Sequence, residues 1–275
     1  GFDANNTSRF AWNSIRNAIT VGGDYFHDSV DNVDDYGFGD GYNPSGTRGV
    51  GGAFVQWKAN YSTWFESIAA LRYDTYSLSG DGVSTDGDHL SPKLTIGLTP
   101  LTGFTVYGTY AEGYRAPAVT ETLVNGAHPP NIPLVFCPDG SYGVFCFVPN
   151  PNLQPEIGKN KEIGVNLKYD NVFMRGDKFR AKANIYRNDV DDYIELVGYN
   201  MTMFGTYADY QYQNIARARI QGFELESTYD TGPWFAGFNV TINEGEDLVD
   251  DQPLANIMPN NVAGTLGARF LDNRL

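Results

Sequence analysis

A two-residue period runs through much of this 275-residue chain and limits its fold more than any other feature. Between 161 and 170, Ile163, Val165, Leu167 and Tyr169 share one face, and Glu162, Asn166, Lys168 and Asp170 share the other. Phe179, Ala181, Ala183 and Ile185 alternate in the same way with Arg180, Lys182, Asn184 and Tyr186. Phe223, Leu225, Ser227 and Tyr229 oppose Glu224, Glu226, Thr228 and Asp230, and the alternation continues through Trp234 to Ile242 and Val262 to Phe270. Side chains on a strand point alternately to its two faces, so this repeat predicts antiparallel strands with one apolar and one polar face. The segments run about 9 to 11 residues, the length a tilted strand needs to cross a bilayer.

Further candidates lie at 16–26, 50–60, 63–76, 92–99 and 104–112, with flanking pieces at 5–12 and 192–213. Together they predict roughly ten to thirteen strands, with boundaries good to about 2–4 residues. Short turns at 59–61, 100–103, 171–177 and 230–233 alternate with long polar connections at 28–49, 77–91, 113–160, 188–216 and 244–259. Short turns at one end and long loops at the other describe a transmembrane β-barrel, which a soluble sandwich rarely imitates. Tyr and Phe recur near strand ends, as expected of aromatic girdles at the two interfaces. A mean hydropathy of -0.35 is compatible with this, because only every second residue of a barrel strand meets lipid.

The formal net charge of -14 argues against nucleic acid as a partner. Acidic residues gather at 28–40, 81–88 and 244–251, where solvated loops are the favoured reading and calcium the lesser one, since none matches an EF-hand. There is no G-x-S-x-G elbow, H-E-x-x-H pair or P-loop, so no enzyme is expected. The two cysteines, Cys137 and Cys146, lie in the Pro-rich stretch within 113–160. In an oxidising compartment a disulfide bracing that loop is the natural reading; as metal ligands they would have only His128 nearby.

Two tetrapeptides frame this stretch. Tyr114-Arg115-Ala116-Pro117 opens it, Asn150-Pro151-Asn152-Leu153 closes it, and His128 lies between. In that order they resemble the FRAP and NPNL boxes of TonB-dependent haem and haemoglobin receptors of Gram-negative outer membranes, with Tyr in place of the first Phe. Asn214-Ile215, Gly222 to Glu226 and Met258-Pro259-Asn260-Asn261 also look like the later part of such a barrel. The resemblance implies a barrel of about 22 strands of which this chain is an interior piece, without signal peptide, TonB box, plug or the terminal aromatic strand. It further implies haem uptake driven by TonB across the outer membrane, with haem reaching extracellular loops from haemoglobin or a secreted haemophore. Residues 114–121 followed by 126–129 look closest to the haemophore-receptor branch.

On that resemblance His128 is the candidate axial ligand of haem iron, carried on the extracellular loop 113–160. Leu134, Val135, Phe136, Tyr142, Phe145 and Phe147 are candidate apolar contacts for the porphyrin. Arg115 offers a planar fork for a propionate, with a structural ion pair at the barrel rim the favoured alternative. Asn150 to Leu153 is read as shaping the return into the next strand, because Asn and Pro are turn formers. His27 and His89 are read as rim positions. A ferric-siderophore or other nutrient receptor, and a passive porin-like barrel, are the competing functions.

Overall fold

A computed structural model describes residues 1–32, 43–128, 134–203 and 205–270. Six long strands come first: β1 (Phe2–Trp12), β2 (Ile15–Val30), β3 (Gly46–Tyr61), β4 (Phe65–Gly80), β5 (Val83–Leu101) and β6 (Phe104–Arg115). The next connection holds one helix, α1 (Val119–Leu123), and four two-residue strands, β7 (Gly126–Ala127), β8 (Val135–Phe136), β9 (Tyr142–Gly143) and β10 (Cys146–Phe147). The wall resumes with β11 (Glu156–Asp170), β12 (Lys178–Met201), β13 (Tyr207–Asp230) and β14 (Trp234–Asp247), then β15 (Gln252–Pro253) and β16 (Asn261–Ala268). Eleven of these are long staves, within the expected ten to thirteen, and each pairs antiparallel with the next. Among the described residues β1 and β16 do not pair with each other, so the sheet is an open part of a barrel wall.

The ladder register brings the apolar residues of successive strands onto one face. Ile163 lies opposite Gly108 on β6 and Ile185 on β12, and the row continues through Phe223 to Ile242. Ile163 is 62% exposed and Ile185 60%. A soluble monomer rarely leaves so continuous an apolar face bare, whereas a membrane barrel turns it to lipid. The other face is polar and internally bonded. Thr95 and Thr109 meet at 3.0 Å, the Tyr107 hydroxyl donates to Glu162, and Arg72 donates to Asp24 at 2.7 Å and to Asp74 at 2.8 Å.

Two stretches expected as long connections, 77–91 and 188–216, are mostly strand instead, the second in keeping with the strand candidate 192–213. Residues 77–91 continue β4 and β5 to a tight turn at Asp81-Gly82, both at positive φ. Residues 188–216 continue β12 and β13, each 24 residues long, to a turn near 202–206. Beyond the lipid band a strand no longer needs one apolar face, so the regular alternation lapses, with Leu78 and Val190 packed into local clusters, while main-chain pairing persists. The acidic segment 28–40 falls partly outside the described residues.

The short connections gather at the opposite end. In the 171–177 turn, the buried Asp177 carboxylate accepts N–H bonds from Val172 (2.6 Å), Phe173 (2.8 Å) and Met174 (2.9 Å) and the Tyr229 hydroxyl at 2.7 Å. Burial opposes its ionisation, but these donors outweigh burial and hold the carboxyl at about 2, below the ordinary 3.8. A depressed folded-state value stabilises the fold above the ordinary range, and that contribution fades as pH falls from about 4 towards 2. Asp177→Asn is therefore expected to melt lower than wild type at pH 7, with the gap closing between pH 4 and pH 2. Heat-dependent gel mobility of the folded barrel would check this, and a pH-independent gap would refute it.

Candidate functional site

Between β6 and β11 the described residues form a folded cap at the long-connection end of the wall, and both tetrapeptides serve as its anchors. Tyr114 stacks on the His89 ring at 5.9 Å and tilts against Tyr76 at 6.3 Å. Arg115 sends Nε and Nη2 to the Glu156 carboxylate, both at 2.6 Å, and Nη1 to both oxygens of Glu121 at 3.0 Å. Glu156 also accepts the Ile194 N–H at 2.8 Å, so this one pair ties β6, β11 and β12 together. Glu121 reaches back to the Ala118 N–H at 2.8 Å and closes the start of α1. Ala116 and Pro117 are buried, and their carbonyls accept from Arg48 Nη1, while Nη2 and Nε of the same guanidinium donate to Asp28 at 2.6 and 3.0 Å.

α1 then packs Val119 and Leu123 onto Tyr76 and Leu78. Each such fully buried aliphatic side chain contributes roughly 2 kcal/mol. The chain lies so close here that a Cβ on Gly80 would stand 2.5 Å from the Ser45 carbonyl oxygen. The closing tetrapeptide works by hydrogen bonds along β13. The Asn150 amide donates to the Tyr212 carbonyl at 2.9 Å, its backbone N–H bonds the Thr122 carbonyl at 3.0 Å, and Leu153 is buried. Gln211 and Asn214 of β13 donate to the carbonyls of Pro149 and Gln154. Asn150 to Leu153 thus shapes the return into β11, with Pro151 and Asn152 exposed.

His128 sits in the middle of the cap on a platform of short strands. β7 pairs with β10, and β10 adds parallel to β13, with Cys146 opposite Asp209 and Phe147 opposite Tyr210. The His128 N–H donates to the Phe145 carbonyl at 2.8 Å, and its own carbonyl accepts from Val144 at 3.1 Å. Its partly exposed imidazole stacks on Phe145 at 4.4 Å and tilts against Phe147 at 5.9 Å, and Phe145 leans in turn on Tyr210 at 4.7 Å. A disulfide joins Cys137 and Cys146, Cα atoms 5.5 Å apart, immediately behind this aromatic cluster. Closing so short a loop removes about 2.7 kcal/mol of unfolded-chain entropy in the simple polymer treatment. A Cβ on Gly143 would collide with the His128 carbonyl, so a glycine is needed for this packing. Of the other proposed apolar contacts, Leu134 (58%), Phe136 (75%) and Tyr142 (44%) are exposed, and Val135 packs behind the disulfide.

Over residues 1–275 the sequence matches the family described as TonB dependent receptor-like, beta-barrel. The chain belongs to the TonB-dependent receptor β-barrel family. Heme/hemopexin utilization protein C of Haemophilus influenzae (strain 86-028NP) is 38% identical over 200 residues, covering 70% of this chain and 27% of that protein. The hemin receptor of Yersinia enterocolitica is 31% identical over 213 residues, covering 72% of this chain and 29% of that protein. The chain therefore spans under a third of the length of these curated relatives. Among solved structures, a double mutant of the Serratia marcescens hemophore receptor HasR, in complex with its hemophore HasA and heme, has a TM-score of 0.79 at 24% identity. That likeness covers 98% of this chain and 49% of HasR. The siderophore receptor PirA of Acinetobacter baumannii has a TM-score of 0.65 at 20% identity, covering 98% of this chain and 40% of PirA. Both structural likenesses concern the fold.

In this TonB-dependent receptor barrel the predicted residues separate by role. Tyr114 to Pro117 and Asn150 to Leu153 hold the cap to the wall, and His128 stands with Phe145 and Phe147 in an aromatic cluster apart from that anchoring. Arg115 makes the ion pair that was its favoured reading. His89 is engaged by Glu112 at 3.1 Å, and His27 is exposed on β2 opposite Gly49. Among the described residues no group of three or more His, Cys, Asp or Glu could hold a metal ion. The sequence reading missed Arg48 and Gln211, whose partners lie far away in the chain, and Gly143, whose close approach to His128 exists only in the folded cap.

The Tyr in the first box carries a cost. Its hydroxyl is buried and has no hydrogen-bond partner among the described residues, a penalty of about 1 kcal/mol or more. Tyr114→Phe keeps the stack on His89 and is expected to raise stability by about 1 kcal/mol. Denaturant unfolding of both proteins would check this, and a destabilised Phe variant would refute it.

Proposed function

We propose that this barrel belongs to an outer-membrane receptor that takes up haem, with His128 as an axial ligand of the iron. The observation that carries the reading is the seat of His128: a partly exposed imidazole, backbone-pinned, stacked on Phe145 and braced by the Cys137–Cys146 disulfide. Haem is a large apolar plate whose iron accepts a neutral imidazole nitrogen, and a fixed imidazole beside aromatic rings suits both demands. The relatives named for heme/hemopexin utilization and as a hemin receptor support the same ligand.

On this reading the cap, 113–160, faces the outside of a Gram-negative cell. It receives haem from a carrier protein such as haemoglobin, hemopexin or a secreted haemophore. TonB then supplies the energy for import through a barrel of which these staves are one part. The family match favours such an energised receptor over a passive porin. Arg115 acts in this scheme through the cap's geometry, since its guanidinium is already engaged by Glu121 and Glu156.

The test is a titration of the purified receptor with haem, followed by Soret absorbance, beside a titration with ferric siderophores followed by intrinsic fluorescence. A saturable Soret change supports the reading. Siderophore binding by well-folded protein that gives no haem spectrum would replace it.

A further inference from the structure

The outward face of the wall carries a cleft of about 680 Å³ that the haem reading does not use. Its floor is the apolar row already described. Gly108 contributes no side chain beside Ile163, and Ile185, Phe223 and Ile242 continue the row. One row higher, towards the long connections, the ladder places Tyr110, Lys161, Arg187, Gln221 and Glu244 side by side along the rim.

The charge on this rim is unusual for a chain of net -14. Lys161 Nζ (3.4 Å), Arg187 Nε (2.9 Å) and Arg219 Nε (2.9 Å) all converge on the single carboxylate of Asp189. The row above also carries Glu112 and Glu246 beside Lys159 and Arg219, so the available positive charge is local to Lys161 and Arg187, whose side chains remain 59% and 46% exposed. The acidic member of the rim, Glu244, is bonded by the Gln221 amide at 3.1 Å at the far corner of the cleft.

The height of the rim identifies what meets it. From Lys161 down β11 to Asp170, beside the short turn, a strand tilted by about 40° descends roughly 23 Å, close to the apolar band of a membrane barrel. Lys161 and Arg187 thus stand at the upper edge of the lipid band, at headgroup level on the long-connection side. We infer that this cleft is a specific site for a phosphate-bearing lipid of the surrounding bilayer, its phosphate held by Lys161 and Arg187 and an acyl chain lying over Ile163, Ile185 and Phe223. Charge-assisted bonds from the guanidinium to phosphate give the site its selectivity, and the floor supplies apolar contact that a free phosphate cannot use.

The readout is independent of haem. Native mass spectrometry of the receptor in non-ionic detergent would follow retention of bis-phosphorylated lipid A, its dephosphorylated form and inorganic phosphate. Wild type is expected to hold the phosphorylated lipid at least tenfold more tightly than the dephosphorylated one, and Lys161→Gln/Arg187→Gln to lose that preference with an unchanged melting midpoint. A single Lys161→Gln variant gives the same reading, in smaller measure, should the double variant fold poorly. Equal retention of both lipids by wild type, or an undiminished preference in the folded variants, would overturn the inference. So would binding of inorganic phosphate with no lipid retained.

Discussion

On the proposed haem ligation, replacing His128 by alanine is expected to weaken haem binding at least tenfold, about 1.4 kcal/mol or more, and to shift the Soret band of what remains bound. The substitution removes the imidazole and little else. The disulfide, the backbone bonds of residue 128 to Phe145 and Val144, and the Phe145–Phe147 and Phe145–Tyr210 contacts do not depend on the ring. Residual binding would then report the apolar contacts alone, and the spectrum would report loss of a nitrogen ligand. Paired titrations of wild type and His128→Ala, with melting midpoints measured alongside, separate ligation from folding. An unchanged spectrum and affinity in the variant would move the iron ligand to another side chain.

Arg115→Ala is expected to destabilise the receptor by about 2 kcal/mol and to weaken haem binding only as a consequence. Removing the guanidinium strands the carboxylates of Glu156 and Glu121, whose side chains are only 13% and 17% exposed. Breaking a fully buried pair costs about 3–5 kcal/mol, and the smaller figure here reflects the 43% exposure of Arg115. Glu156 alone links three staves, so the damage should reach the seating of the cap as well as its edge. Denaturant unfolding of Arg115→Ala and Glu156→Gln should show losses in the same direction. A normal unfolding midpoint combined with a large loss of haem affinity would instead assign Arg115 to a propionate.

Much of the wall was legible because its signal is local. Ile163, Val165 and Leu167 alternate with polar neighbours, and Ile185 and Phe223 do likewise on their own strands. Each strand therefore declares its lipid face without knowing its partner. The signal failed where that reason lapsed: at 77–91 and 188–216 the strands have left the lipid band, apolar residues such as Leu78 and Val190 pack into local clusters instead of forming a lipid face, and pairing across the ladder keeps the strands extended. At the site, the two tetrapeptides and His128 were legible through their order, and so were a rim ion pair for Arg115 and a turn at Asn150 to Leu153, but the distant partners that make the boxes anchors were not. Arg48 reaches Pro117 from 69 residues away and Gln211 reaches Pro149 from 62, and no spacing in the sequence marks such pairs.

By itself, then, the sequence determined the period, the short turns at one end of the wall and the presence of one histidine in a Pro-rich stretch between two turn-forming boxes. Those properties follow from neighbours along the chain, where steric and hydropathic preferences act. Only the tertiary structure decided that His128 rests on Phe145, that Arg115 is engaged by Glu121 and Glu156, and that three cations converge on Asp189. These depend on ladder register, because a one-residue slip would turn Lys161, Arg187 and Arg219 to the opposite face.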